Sequence, residues 1–142
     1  MLDVCNMKKL VIFCALLCSL ASCSLGDSSE PNYRFEALPI ESVDIPDEFT
    51  LGETYEITVY YNKPSNCYVF HDFYYVSDLN QRTVAVINTV YTDQACTQAT
   101  ELVNASFNFM VNSNGTYVFK FWQGEDEDGN DLYYIVEVPV VE

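Results

Sequence analysis

The only histidine, His71, is followed directly by Asp72, an imidazole beside a carboxylate of the kind used in general base chemistry. On a strand, successive side chains point to opposite faces, so two neighbours there do not pair. The chain has no Gly-x-Ser-x-Gly elbow, no second histidine and no cysteine placed as a nucleophile. One histidine and two separated cysteines make no zinc ligand set. Glu125 to Asp131 (EDEDGND) is the densest cluster of charge, and oxygen-rich loops hold calcium. Aligning Gly129 with the glycine of a calcium loop places Asp126 and Asp128 at ligand positions, but puts Gly124 at the first position and Ile135 at the last. The other reading is a solvated hairpin turn whose Asp-Gly and Gly-Asn steps supply positive φ. The expectation is no catalytic residue, no metal site and no cofactor, with calcium at residues 125–131 left open.

Aromatic side chains carry the remaining chemistry. Three Tyr-Tyr pairs, at 60/61, 74/75 and 133/134, fall within strand-like runs, so one ring of each pair faces away from the core. If Asp72 faces solvent, strict alternation takes Tyr68, Phe70 and Tyr74 with it. If Tyr117, Phe119 and Phe121 face inward, then Val118, Lys120 and Trp122 face outward. Tyr68, Phe70, Tyr74, Trp122 and Tyr133 are therefore the candidate ligand-binding residues, sharing one outer face. Exposed contiguous apolar surface marks binding sites. The competing possibilities are that another segment, such as Tyr33 to Leu38, covers these rings, or that strands simply favour aromatics.

The elements that position these residues read as strands throughout, because several windows alternate with period two and none shows a helical apolar stripe. Tyr55, Ile57, Val59 and Tyr61 mark one strand, and Asn62 to Asn66 (NKPSN) is a turn. Cys67 to Val76 and Arg82 to Thr92 form a hairpin about Ser77 to Gln81. Phe107, Phe109 and Val111 mark another strand, and Thr116 to Gln123 pairs with Leu132 to Val140 in a final hairpin. A weaker first strand, Ser42 to Phe49, is interrupted by Pro46 and belongs at an edge.

The chain has 142 residues and a formal charge of −15. From Met7 it reads Met-Lys-Lys and then Leu10 to Leu20 (LVIFCALLCSL), a short positive region followed by an apolar run. Eleven helical residues span only about 16 Å, half of a bilayer's hydrocarbon core, so this is a leader rather than a membrane span. Met7 is a candidate true start. Leu20, Ala21, Ser22 and Cys23 then resemble a bacterial lipobox, which implies a cleavable signal peptide over 1–22 and a diacylglyceryl thioether on Cys23. Acyl chains bury methylenes at about 0.8 kcal/mol each, so such an anchor is stable. By the same resemblance, Ser24 after the cysteine favours the outer membrane of the cell envelope over the inner one.

Removing that leader leaves 20 acidic residues against Arg34, Lys63, Arg82 and Lys120, a charge of −16. Such a field repels phosphate backbones and anionic headgroups, which disfavours nucleic acid as a partner and leaves the lipid as the membrane contact. Of six cysteines only Cys67 and Cys96 remain in the folded part, one possible disulfide in an oxidising compartment. Reflecting Cys67 through a turn near Leu79-Asn80 lands near Thr92, four residues short of Cys96. Ser24 to Asn32 (SLGDSSEPN) is polar and acidic. The lipidated cysteine and tether are drawn over 23–37 and the domain over 38–142.

Seven short strands with these turn signals imply a β-sandwich. The run Ser113-Asn114-Gly115-Thr116-Tyr117-Val118-Phe119 resembles the tyrosine corner of immunoglobulin-like domains, with Phe119 where antibodies hold a cysteine. The resemblance implies an all-β, immunoglobulin-like sandwich of about seven antiparallel strands, in which the strands bearing Tyr74, Trp122 and Tyr133 are neighbours. Superfolds do not transmit function. The functional expectation is a membrane-anchored envelope lipoprotein acting as a non-catalytic binding module for a glycan or protein ligand. The alternatives are a structural accessory subunit of an envelope complex and a carboxylate-dependent hydrolase.

Overall fold

The computed structural model describes residues 32–142. The expected leader, the expected lipobox with Cys23 and the first part of the expected tether lie outside the described residues. Every regular element among the described residues is a strand: β1 (Tyr33–Leu38), β2 (Ile40–Asp44), β3 (Phe49–Thr50), β4 (Thr54–Lys63), β5 (Tyr68–Asp78), β6 (Gln81–Tyr91), β7 (Glu101–Met110), β8 (Thr116–Glu125) and β9 (Asp131–Val141). They form two sheets, as expected of a β-sandwich. The smaller has the order β2-β4-β7, and the larger runs β1-β6-β8-β9-β3 with β5 on the other edge of β6.

Period-two alternation decides which side chains enter the space between the sheets. Ile57, Val59 and Tyr61 of β4, Val84 and Val86 of β6, and Tyr117, Phe119 and Phe121 of β8 are all buried. Phe109 of β7 meets Tyr117 and Phe119 at 4.9 Å and 5.1 Å between ring centroids, joining the sheets through edge-on aromatic pairs. Fully burying a side chain of this size stabilises by about 1.5–3 kcal/mol. Two polar groups share this interior. Arg82 lays its guanidinium 5.0 Å from the Tyr117 ring centroid and donates from Nη1 to the carbonyls of Leu79 and Gln81. Asn88 is fully buried with its Nδ2 unpartnered, and its Oδ1 accepts from the Tyr61 hydroxyl at 3.5 Å.

The tyrosine corner is present. The Tyr117 hydroxyl accepts the backbone N–H of Asn112 at 3.3 Å and donates to Asn112 Oδ1 at 3.1 Å, anchoring the β7–β8 turn to the start of β8. Asn80, at the tip of the β5–β6 hairpin, reinforces the same turn through Nδ2, which donates to the carbonyls of Asn114 and Thr116. Pro46 divides the expected first strand, and its two halves join different sheets: β2 pairs with β4, and β3 pairs in parallel with β9.

Three expectations need correction. First, nine strands replace about seven, partly because residues 33–37, assigned to the tether, belong to β1, which pairs with β6 from Tyr33 opposite Tyr91 to Leu38 opposite Val86. The folded part therefore begins five residues earlier than the boundary at Leu38. Tyr33 to Leu38 extends the large sheet as a strand and does not lie across its face. Second, β5 is not beside β8. β6 lies between them and pairs with β8 in parallel, so the neighbours assumed from the superfold are separated by one strand. Third, a bulge between Phe70 and Asp72 breaks the alternation of β5.

Candidate ligand-binding face

The bulge decides which aromatic residues share a face. Directly opposed residues on antiparallel strands point the same way. Above the bulge, Tyr74 lies opposite Ala85 and Val76 opposite Thr83, all on the outer face of the large sheet. Below it, Tyr68 lies opposite Val90 and Phe70 opposite Asn88, whose side chains are buried between the sheets. One inserted residue reverses the facing of everything beyond it. Tyr68 and Phe70 thus leave the candidate set. Tyr68 packs against the core with its hydroxyl donating to Glu36 at 3.1 Å, and burial followed by that carboxylate pushes its phenol up. Phe70 sits at the margin of the inner face, 5.1 Å from Phe73.

The bulge also undoes the alternation used to separate His71 from Asp72. His71 packs on Phe35 at 4.4 Å between ring centroids, on the outer face, and Asp72 opposite Ile87 points to that face too. Nevertheless no ion pair joins them among the described residues. Asp72 Oδ1 instead accepts the backbone N–H of Phe73 at 2.8 Å.

The other three candidates converge. Tyr74, Trp122 and Tyr133 line one concavity of about 440 Å³ on the outer face of the large sheet. Its floor is β6, where the outward residues Thr83, Ala85 and Ile87 are smaller than the rings on either side. One wall is Tyr74 with Val76 on β5, and the other is Trp122 on β8 with its cross-strand partner Tyr133 on β9. The concavity sits at a fork. β6 pairs with β8 only as far as Val84 opposite Phe121, and with β1 only from Val86 onward. Between those pairings the sheet changes neighbour, and Ala37 of β1 closes the far end.

A second irregularity sets the polar group of this site. The β8–β9 register shifts between Trp122 and Glu125, where Gly124 adopts φ 101°, a conformation that glycine tolerates and other residues resist. This brings Asp131, paired with Glu125, within reach of Trp122. Trp122 Nε1 donates to Asp131 Oδ1 at 2.7 Å and the Tyr133 hydroxyl donates to Oδ2 at 3.3 Å. Burial first, then the Asp131 carboxylate and Tyr74, push the Tyr133 phenol above its ordinary value. Lys120 holds its ammonium 4.4 Å from the Tyr133 ring centroid. The arrangement offers flat apolar rings for stacking and a fixed carboxylate for hydrogen bonding.

The acidic loop is built as a turn. Asp126 Oδ1 accepts the backbone N–H groups of Asp128 and Asn130, and the Asn130 side chain donates to both carboxylate oxygens. The Asn130 side chain and then these backbone donors hold the Asp126 carboxyl below its usual range. Its oxygens are therefore committed to the loop's own N–H groups. Among the described residues no group of three or more His, Cys, Asp or Glu side chains is placed to hold a metal ion.

The expected disulfide is formed. Cys67 and Cys96 are bonded with their Cα atoms 5.5 Å apart, closing the open end of the β5–β6 hairpin. Cys67 is buried, and its carbonyl accepts the N–H of Tyr91 at 3.1 Å.

Comparison with known proteins supplies a family and no activity. The model of the ORF11 beta-sandwich domain matches residues 55–138, which run from the second residue of β4 into β9 and include the rings of Tyr74, Trp122 and Tyr133. No curated protein and no solved structure matches the chain. The match spans more than half of the 142 residues and agrees with the two packed sheets, so this chain belongs to the ORF11 beta-sandwich domain family.

Proposed function

We propose that the protein is a lipid-anchored lipoprotein of the cell envelope, held at the outer membrane through Cys23, and that its β-sandwich is a non-catalytic module binding a glycan on the aromatic outer face. The observation that carries this reading is the convergence of Tyr74, Trp122 and Tyr133 on one concavity with Asp131 fixed beside them. Sugar rings present apolar C–H faces that stack on aromatic side chains and hydroxyls that bond to a fixed carboxylate. Concave sites of about 300–1,000 Å³ with few polar groups are the usual form of a small-ligand site. The anchor supplies location, and the domain supplies recognition.

A broad glycan array probed with the purified protein tests the reading, followed by titration of the retained glycan against the Tyr74→Ala, Trp122→Ala double variant. Binding should weaken at least about tenfold, because two stacking surfaces are removed. The thermal midpoint should change little, because both rings lie on the outer face. An array on which nothing is retained, or a double variant that binds unchanged, overturns the reading.

A further inference from the structure

The charged lining of the concavity is one-sided. Its only ionised group is Asp131, and no Lys, Arg, His, Asn or Gln side chain lines it. Trp122 and Tyr133 spend their N–H and O–H on that carboxylate at 2.7 Å and 3.3 Å. An ionised carboxylate has about four lone-pair sites, so two bonds leave acceptor capacity on Asp131, while the hydroxyls of Tyr74 and Thr83 elsewhere in the lining can donate or accept. A ligand group that pairs here must bring hydrogens and is favoured if it brings positive charge. The rings around the carboxylate add to this, because aromatic faces attract cations. One ring already holds an ammonium: Lys120 Nζ lies 4.4 Å from the Tyr133 ring centroid. A chain carrying 20 acidic and four basic residues beyond its leader adds a field of the same sign.

Resting on the glycan reading above, we infer that the sugar bound in this concavity carries a free ammonium, as in a chain of 2-amino-2-deoxy sugars, with Asp131 as the anionic partner and Tyr74 and Trp122 as the stacking surfaces. N-acetylation removes the charge and two of the hydrogens, so the acetylated sugar loses the pairing while keeping the stacking.

Glucosamine pentamer and its fully N-acetylated counterpart, titrated against the purified full chain at a pH where the amine is protonated, test this inference. The amine form should bind about tenfold tighter, the factor expected of a hydrogen bond between charged groups. Asp131→Asn keeps the shape and should abolish that preference, bringing the affinities of the two pentamers within about twofold of each other. Lys120→Met should tighten binding of the amine form, because it removes a like charge beside the site, whereas an anionic ligand would weaken. Equal or tighter binding of the acetylated pentamer overturns the ammonium inference and leaves the glycan reading standing. Failure of both pentamers also overturns it, and the glycan array then decides whether the wider reading falls too. Capture of a lysine-rich peptide in an Asp131-dependent manner, with no glycan bound, would keep the ammonium and overturn the sugar.

Discussion

Tyr117 shows how much one side chain organises. Its ring is fully buried between the sheets, and its hydroxyl both accepts the Asn112 N–H and donates to the Asn112 side chain. The motif was legible because Ser113 to Phe119 combines a turn with an inward-facing tyrosine. Tyr117→Phe deletes the hydroxyl without opening a cavity, so the cost is that of the lost hydrogen bonds, about 1–2 kcal/mol. Urea unfolding should show a lower midpoint with an unchanged slope, and an unshifted midpoint would mean that the corner is ornamental. Arg82 was not legible in this way. A cation in an acidic chain reads as surface, yet it is 6 % exposed, stacked on Phe109 and Tyr117 and bonded to two carbonyls. What buries it is the arrival of β7 and β8 from distant sequence, which no local pattern announces.

At the level of elements, the β5–β6 hairpin carries both the success and the failure of local reading. Its turn lies at Leu79-Asn80, where the sequence puts it, since Asp78 pairs with Gln81, and its open end is closed by Cys67 and Cys96. The bulge near His71 leaves no mark in the local pattern, and it reverses the facing of Tyr68 and Phe70. Alternation is a property of a single strand, whereas a bulge is a property of a pair, because the extra residue is extra only relative to the partner. The disulfide spans 29 residues of sequence. Replacing both cysteines with alanine should lower stability by about 3–4 kcal/mol in the chain-entropy description. Chemical denaturation measures that loss, and mass spectrometry after alkylation should find neither cysteine modified unless the protein is first reduced. A double variant as stable as the parent would show that the bond adds nothing to the fold.

At the level of the whole molecule, charge and anchoring belong together. With a formal charge of −16 over residues 23–142, the domain is repelled by anionic lipid, so the proposed attachment rests on the acyl chains of Cys23 alone. Cys23→Ala should abolish labelling by a fatty-acid analogue, leave the uncleaved precursor and move the protein out of the outer-membrane fraction. Normal labelling of that variant would refute the anchor.

The sequence by itself determined the strand class, the inward set Tyr117, Phe119 and Phe121, the outward set Lys120 and Trp122, the corner at Tyr117 and the single cysteine pair. Each follows from an alternation of period two, from turn chemistry or from counting, all of which are complete within a short stretch of chain. Only the tertiary structure decided that β6 lies between β5 and β8, that β1 joins the large sheet, and that the sheet forks at Ala85 so that Tyr74, Trp122 and Tyr133 face one another over a floor of small residues. The physical reason is that pairing partners and register are chosen by the burial of side chains from several strands at once. Residues far apart in sequence settle that choice together.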